Sequence, residues 1–565
     1  MGAISLNPGF VLIAAAFLML AAPKSVRAPL MAGAAALSMW LLLDNEFGAA
    51  SAVAQMGLSV VLLNLDALNR VFGIGFLIAL VLLAIYTSGR RNRLEDAAIT
   101  LLAGGAVSAL FVGDLVSFVA ALALAGLSAT WLLFVAPVAG AAGAGARLLI
   151  WHGLEGLLFL VGVAFHISAG AENSVFKQLD IASLGGGFIF AALMIRVGAP
   201  FAHVWLKDAI GHASGAGAVA LAVFSSTLGV YALARLFPAE PALIFVGAAM
   251  TVLGLIYAAA EDDLRRSAAY VLTAQMGVCV ALIGDGSPLA RAASQAHVFS
   301  LTFAFSLLLM AHGAIIERHG ASALSGLRGL ARGMPVTSLL LLCGGLSVAG
   351  MPGFASYVSY AVALAAVGDW EQRLLWTLLI VNSAALIVIL IIRPASVVYV
   401  ATDSAPPHQA AIFPMMLGMS LSAFFCIAVG FNPHWLYQLM PTELAFSPYT
   451  FDRLAPALEA IGAAALTYLA LRLVRFAPTE KAQALLDMDV FYRGPVSGAG
   501  RWAGIVLLRL YGAWQVAFDR VAVAAGALLA RAARACDLPY KDSLAGAVLL
   551  VATAGILLII CLSWR

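Results

Sequence analysis

The chain has 565 residues, 63% of them hydrophobic and 10% charged, with a net charge of +3. Soluble domains carry about 25% charged residues, so these values exclude a water-soluble enzyme and indicate an all-α polytopic membrane protein. The weak net charge leaves no basic footprint for a nucleic-acid partner.

A membrane span needs about 20 mainly apolar residues. Runs of that kind fall near 8–23, 29–43, 70–88, 95–112, 115–136, 147–169, 184–202, 215–236, 242–260, 266–284, 293–316, 335–368, 373–393, 410–430, 453–473 and 543–562. The first lacks a basic leader and reads as a span rather than a cleaved signal. The run at 335–368 is interrupted by Gly350-Met351-Pro352-Gly353. The 53 glycines predict close helix packing, because small residues let helix backbones approach. The five cysteines (Cys279, Cys343, Cys426, Cys536 and Cys561) are too scattered for a disulfide framework or a metal site.

Basic residues gather after the odd-numbered runs: Lys24 and Arg27, Arg90 to Arg93, Arg147, Lys207, Arg265 and Arg266, and Arg318 to Arg332. Acidic residues mark the even-numbered exits, at Asp44, Glu46, Asp114, Glu172, Glu240, Asp285 and Asp369. The positive-inside rule then places the odd exits in the cytoplasm and the N-terminus outside. The chain divides into N-terminal helices (1–94), a core (95–432), a further span with a linker (433–500), an amphipathic helix (501–541) and a last span (542–565). The 501–541 segment carries Arg501, Arg509, Asp519, Arg520, Arg531 and Arg534, too many charges for a span. It reads as a helix lying along a membrane surface or a partner.

Ordered motifs run along this framework. Asn64-Leu65-Asp66-Ala67-Leu68, Gly113-Asp114-Leu115, Trp205-Leu206-Lys207-Asp208-Ala209 and Gly229-Val230-Tyr231 resemble LDGLS, NDLF, WLPDA and GVY. Glu261 to Tyr270 resembles QxDLKRxLAY, with Gln275-Met276-Gly277 in step behind it. Gly329 to Pro335, Ser347 to Pro352 and Asp487 to Arg493 resemble GLxxxMP, SLAGLP and DxDWFYRR. Taken in order, these resemble the antiporter-like subunits shared by respiratory complex I and Mrp-type cation/proton antiporters. The resemblance implies a core of about 14 helices with two discontinuous helices, a lateral helix, and a place in a larger complex.

In that family, titratable groups along the membrane midplane carry protons. The resemblance puts them on positions that do not titrate here. The fifth-helix glutamate falls on Ala123, the seventh-helix lysine on Ile195 and the eighth-helix lysine on Leu228. In the family's HxxxHxxxK run, His297 matches the first histidine, while Leu301 and Phe305 replace the second histidine and the lysine. A further lysine falls on Tyr360, and the 373–393 run stays apolar until Arg393.

Other ionisable residues remain inside the runs. Glu155 lies three residues after His152, on one helical face. Intramembrane carboxylates are functional by default. Glu155 is either a relocated proton site or a partner for Arg196, and an arginine holds its proton too tightly to cycle. His166, His297 and His312 are either relays or hydrogen-bonded core residues. His203, Lys207, Asp208 and His212 form a rim cluster, read either as a solvated loop or as a mouth for protons. Asp263, Arg265 and Arg266 read as a surface charge cluster.

The expectation is a multi-pass subunit of an Mrp-type or complex I-like assembly in a bacterial inner membrane, with an impaired or altered proton path and a structural role. Its partners would be other membrane subunits, the bilayer, and protons with Na+ as a candidate. No cofactor, metal or electron carrier is indicated, and the chain is not itself read as a redox enzyme. Two alternatives stand. One is an active Na+/H+ antiporter subunit with relocated titratable groups. The other is the membrane partner of a soluble subunit in a bicarbonate-uptake complex.

Overall fold

A computed structural model describes residues 6–55, 58–89, 92–368, 373–400, 410–441, 444–473, 487, 490 and 497–535. They fall into two compact units, Met1–Leu485 and Leu486–Arg565.

The first unit opens with α1 (Pro8–Met19), whose start is capped by the Asn7 side chain, and α2 (Lys24–Asp44). An antiparallel hairpin comes next, β1 (Gly48–Gln55) and β2 (Leu58–Leu65), paired from Gly48↔Leu65 to Gln55↔Leu58. This amends the all-α expectation, which assigns no element between the second and third runs. The hairpin is fastened to the helices by polar groups. Val61 N donates to Asp114 Oδ2 at 2.8 Å, Gly113 N donates to Val61 O at 2.8 Å, and Asn7 Nδ2 donates to Leu62 O at 2.9 Å.

The chain continues through α3 (Ala67–Thr87), α4 (Arg93–Phe111), α5 (Leu115–Phe134) and α6 (Ala141–Ser168). Asp66 opens α3 with a capping box and also holds Arg235 by two bonds of 2.6 and 2.8 Å. Two short helices come after them, α7 (Leu184–Val197) and α8 (Val204–His212). They are halves of one broken element, separated by Gly198 at φ 75° and Phe201 at φ 73°. A left-handed phenylalanine is a strained conformation that the surrounding packing must hold.

Next come α9 (Gly215–Leu221), a π-turn (Ala222–Ser226) and α10 (Thr227–Leu236), which together form one continuous span. The fold proceeds with α11 (Ala242–Ala260), α12 (Leu264–Asp285) and the 32-residue α13 (Pro288–His319). The packing predicted from the small residues is visible between α11 and α12. A Cβ on Gly247 would lie 2.4 Å from the backbone of Ala281, and one on Gly277 would lie 2.6 Å from Gly247 O. Only glycine permits that approach.

After the short α14 (Leu330–Gly333), the second broken element is α15 (Pro335–Val348) and α16 (Ala355–Ala366). The break falls on the predicted Gly350–Gly353 stretch, with both glycines at positive φ. The unit closes with α17 (Arg373–Ile387), a second π-turn (Val388–Ile392), α18 (Arg393–Val398), α19 (Phe413–Phe431), α20 (His434–Tyr437) and α21 (Phe451–Leu473). Among the described residues, 11 helical segments are long and apolar enough to cross a membrane.

In the second unit a single helix runs from Ser497 to Ala535, 39 residues. At 1.5 Å per residue it is about 58 Å long. Tyr511, Trp514 and Phe518 stack along one side of it. The predicted last span, 543–562, lies outside the described residues, as do Cys536 and Cys561.

Candidate functional site

Arg196 occupies the last turn of α7, where Gly198 closes the helix, and its side chain is 1% exposed. Each of its three guanidinium nitrogens donates a hydrogen bond. Nε donates to Glu155 Oε1 at 2.6 Å, Nη1 to Ser225 Oγ at 3.3 Å and Nη2 to Leu122 O at 3.2 Å. Glu155 uses its other oxygen on His152 Nδ1, at 2.7 Å. The site candidates His152, Glu155 and Arg196 therefore form one buried cluster between α5, α6, α7 and the first π-turn. Ser225 is the member that the sequence leaves unnamed. It lies in the π-turn, and such turns are frequent at functional sites.

The space for Arg196 comes from missing side chains. A Cβ on Gly229 would lie 2.8 Å from Arg196 Cγ and 2.7 Å from Val197 Cγ1. A Cβ on Gly126 would lie 3.1 Å from His152 and 3.7 Å from Arg196 Nη2. The His152 ring also packs at 5.1 Å on Trp205, whose Nε1 donates to Ile195 O at 2.7 Å. Ile195 thus contributes its carbonyl to the site, Leu228 is buried on α10, and Ala123 is exposed on α5.

A second polar cluster lies around the α15–α16 break and is uncharged. His297 Nδ1 meets Ser359 Oγ at 3.0 Å, and its ring packs on Tyr360 at 5.6 Å. Tyr360 Oη donates to Leu379 O at 2.6 Å. Asn382 Nδ2 donates to Tyr360 Oη and Gln275 Oε1, both at 2.9 Å. Gln275 Nε2 donates to Val348 O at 3.1 Å, and Ser383 Oγ donates to Ala349 O at 3.2 Å. These amides and hydroxyls occupy carbonyls at the end of α15 that the break releases, which is what a broken helix at membrane depth requires. Leu301 and Phe305 are buried on α13 beyond His297. Asn382, a lone amide in the otherwise apolar 373–393 run, is the signal in the sequence from which this cluster could have been found.

The rim cluster is not a solvated loop. It forms α8, and Trp205, Leu206, Ala209 and Ile210 are buried along with His203, Lys207 and Asp208. Those four apolar side chains draw the helix into the bundle and take its charges with them. Asp208 receives Arg147 Nε at 2.5 Å and Arg147 Nη2 at 2.9 Å, and His212 Nδ1 lies 2.8 Å from Asp208 O. On another side of α8, Lys207 Nζ lies 5.8 Å over the Tyr270 ring, and His203 stacks on Tyr257 at 5.8 Å.

The Asp263 cluster also differs from its surface reading. Asp263 caps α12 by accepting from the backbone N–H groups of Arg265 and Arg266, while the Arg265 guanidinium is buried and donates to Ala213 O. His166 sits at the end of α6, with Nε2 3.3 Å from Glu172 O, away from both clusters. His312 is buried and lines a small cavity of about 20 Å³ with Asp262 and Arg393.

Residues 112–386 match the family model described as "NADH:quinone oxidoreductase/Mrp antiporter, TM". A chloroplast NAD(P)H-quinone oxidoreductase subunit 5 from Anthoceros angustus is 31% identical over 175 residues, which cover 28% of this chain and 23% of that protein. The match therefore spans about a quarter of that relative's length. A chain of the Mrp complex from Dietzia sp. DQ12-45-1b superimposes with a TM-score of 0.67 at 16% identity, over 84% of this chain and 99% of that one. A chain of respiratory complex I from Thermus thermophilus gives 0.67 at 18% identity, over 82% and 99%. These two superpositions establish the shared fold.

Proposed function

Because the chain belongs to the antiporter-like membrane subunit family shared by NADH:quinone oxidoreductases and Mrp antiporters, we propose that it is a membrane subunit of a multi-subunit assembly in which its C-terminal half is closed to protons and its N-terminal half carries an altered path. The observation that carries this reading is the uncharged cluster at Gln275, Asn382 and Tyr360. The titratable groups expected along that half beyond His297 are replaced, and His297 is succeeded on α13 by buried Leu301 and Phe305. At the family positions beyond His297 on α13, no histidine or lysine stands to take a proton onward.

The N-terminal half keeps charge in a different form. Glu155 and His152 can each exchange a proton, while Arg196 supplies a fixed positive charge beside them. Its role is to tune the carboxylate, not to relay. In the assembly, the rest of the chain provides architecture, and the Ser497–Ala535 helix is a brace toward a neighbouring subunit.

The test is cation-dependent proton transport by the reconstituted complex. Glu155→Gln is expected to lower transport with assembly intact, and Tyr360→Phe to leave it unchanged. Loss of transport in Tyr360→Phe or His297→Ala, with the complex assembled, would refute the closed C-terminal half.

A further inference from the structure

The charges of the Ser497–Ala535 helix are arranged by period. Arg509, Arg520 and Arg531 are all exposed and follow one another at intervals of 11 residues. At about 100° per residue, such an interval is three full turns and about 20° more. The three positions therefore form one line along the helix, in steps of about 16.5 Å. Tyr511, Trp514 and Phe518, which stack at 6.2 and 5.6 Å, lie on the other side. Counted from Arg520, they are turned away by about 120–180°.

Nothing along the helix neutralises this line. Its sequence has one acid, Asp519, which is turned about 100° from Arg520. No acid stands three or four positions from any of the three arginines, the spacing at which a helix pairs its charges. The exposed residues beside them on the same side include Ala513, Ala524 and Ala527. These methyl groups leave a bulky anionic group free to approach each guanidinium.

The surroundings in sequence supply the anion. The helix is set between two apolar runs, 453–473 and 543–562. The first of these is odd-numbered, and Arg472, Arg475 and Lys481 mark its exit. The positive-inside rule assigns that exit to the cytoplasm. The cytoplasmic leaflet carries the anionic lipids and a negative surface potential. A guanidinium fork matches the oxygens of a phosphodiester in both charge and shape.

We infer that Arg509, Arg520 and Arg531 form a binding line for the headgroup phosphates of anionic glycerophospholipids. The aromatic side of the helix is then left to the neighbouring subunit. The inference depends neither on the proton path nor on the brace, since the line engages lipid whichever half conducts and whatever the aromatic side meets.

Backbone hydrogen exchange across Ser497–Ala535 reads how firmly the helix is held. The sample is the assembled complex in nanodiscs of phosphatidylcholine, with and without phosphatidylglycerol. A basic residue at an anionic surface is worth roughly fivefold in binding, so three give about a hundredfold at most. In the wild type, phosphatidylglycerol is expected to slow exchange of the helix at least about tenfold. The triple variant Arg509→Gln, Arg520→Gln, Arg531→Gln is expected to abolish the slowing. Arg520→Gln with Gln515→Arg keeps the net charge but breaks the line, and is expected to lose roughly fivefold of it. No slowing in the wild type, or equal slowing in the triple variant, would overturn the inference. So would wild-type behaviour of the charge-conserving variant, because net charge alone would then suffice. Slowing by inorganic phosphate in discs of phosphatidylcholine would assign the line to a soluble anion instead. Loss of assembly in the triple variant would place the arginines against a protein neighbour and likewise overturn the lipid assignment.

Discussion

Glu155 of α6 and Arg196 of α7 meet at 2.6 Å, with both side chains almost wholly removed from solvent. Two charges buried together are costly to desolvate, and their attraction offsets that cost only while both remain. Removing one is therefore expected to destabilise the chain by about 3–5 kcal/mol, by stranding the other. Removing both, as Glu155→Met with Arg196→Met, is expected to recover most of that loss. A double-mutant cycle on thermal or denaturant unfolding in detergent checks this. Additive losses would mean that the pair is not coupled.

Gly229 offers a test of how tightly the arginine is seated. In Gly229→Ala the added carbon would sit 2.8 Å from Arg196 Cγ and 2.7 Å from Val197, so either α7 or α10 must move. A loss of about 1–3 kcal/mol is expected, as for other overpacked cores. Gly33 in α2 has nothing within 4 Å of the same position. Gly33→Ala is expected to be neutral or to stabilise by up to about 1 kcal/mol. The two melting temperatures, taken side by side, decide the point.

Asn382 is the joint of the uncharged cluster, linking Gln275 to Tyr360. Asn382→Leu leaves Gln275 Oε1 without its donor in a buried site, and an unsatisfied buried group costs about 1–3 kcal/mol. Stability is expected to fall by that amount while proton transport per assembled complex stays at the wild-type level. A transport loss larger than the assembly loss would assign the cluster a conducting role.

Asp66 and Arg235 clamp the start of α3 to the end of α10 through two parallel bonds. The guanidinium also lies 4.5 Å over Phe176 and 5.4 Å over Tyr231. Lysine cannot reproduce the fork or the stacking. Arg235→Lys is expected to destabilise by about 1–2 kcal/mol despite its unchanged charge, with Asp66→Asn similar and the double change not additive. Unfolding midpoints of the three variants provide the measurement.

The spans and the second helix break were legible because hydropathy and a Gly-Met-Pro-Gly run act locally. Glu155 and Arg196 were legible as anomalies, and their pairing was one of two readings that the sequence left open. They are 41 positions apart, and only the packing of α6 on α7 brings them together. The hairpin was missed because Gly48 to Gln55 is built from small residues with no alternating pattern, and β2 is anchored by the cap residues Asp114 and Asn7, 53 and 55 positions from their partners. The burial of α8 was misread for the converse reason. His203, Lys207, Asp208 and His212 dominate its composition, while Trp205, Leu206, Ala209 and Ile210 decide where it packs.

The π-turn at Ala222–Ser226 places one additional residue inside a span. Each residue turns an α-helix by about 100°, so this insertion sets the rotational phase of α10. Ser225 points toward Arg196, whereas Tyr231 bonds Leu110 O at 2.7 Å and Arg235 reaches Asp66. Deleting one residue here would straighten the span while leaving it long enough to cross a membrane. The two ends would then disagree by a quarter-turn or more, so that either the arginine cluster or the clamp could be aligned, but not both.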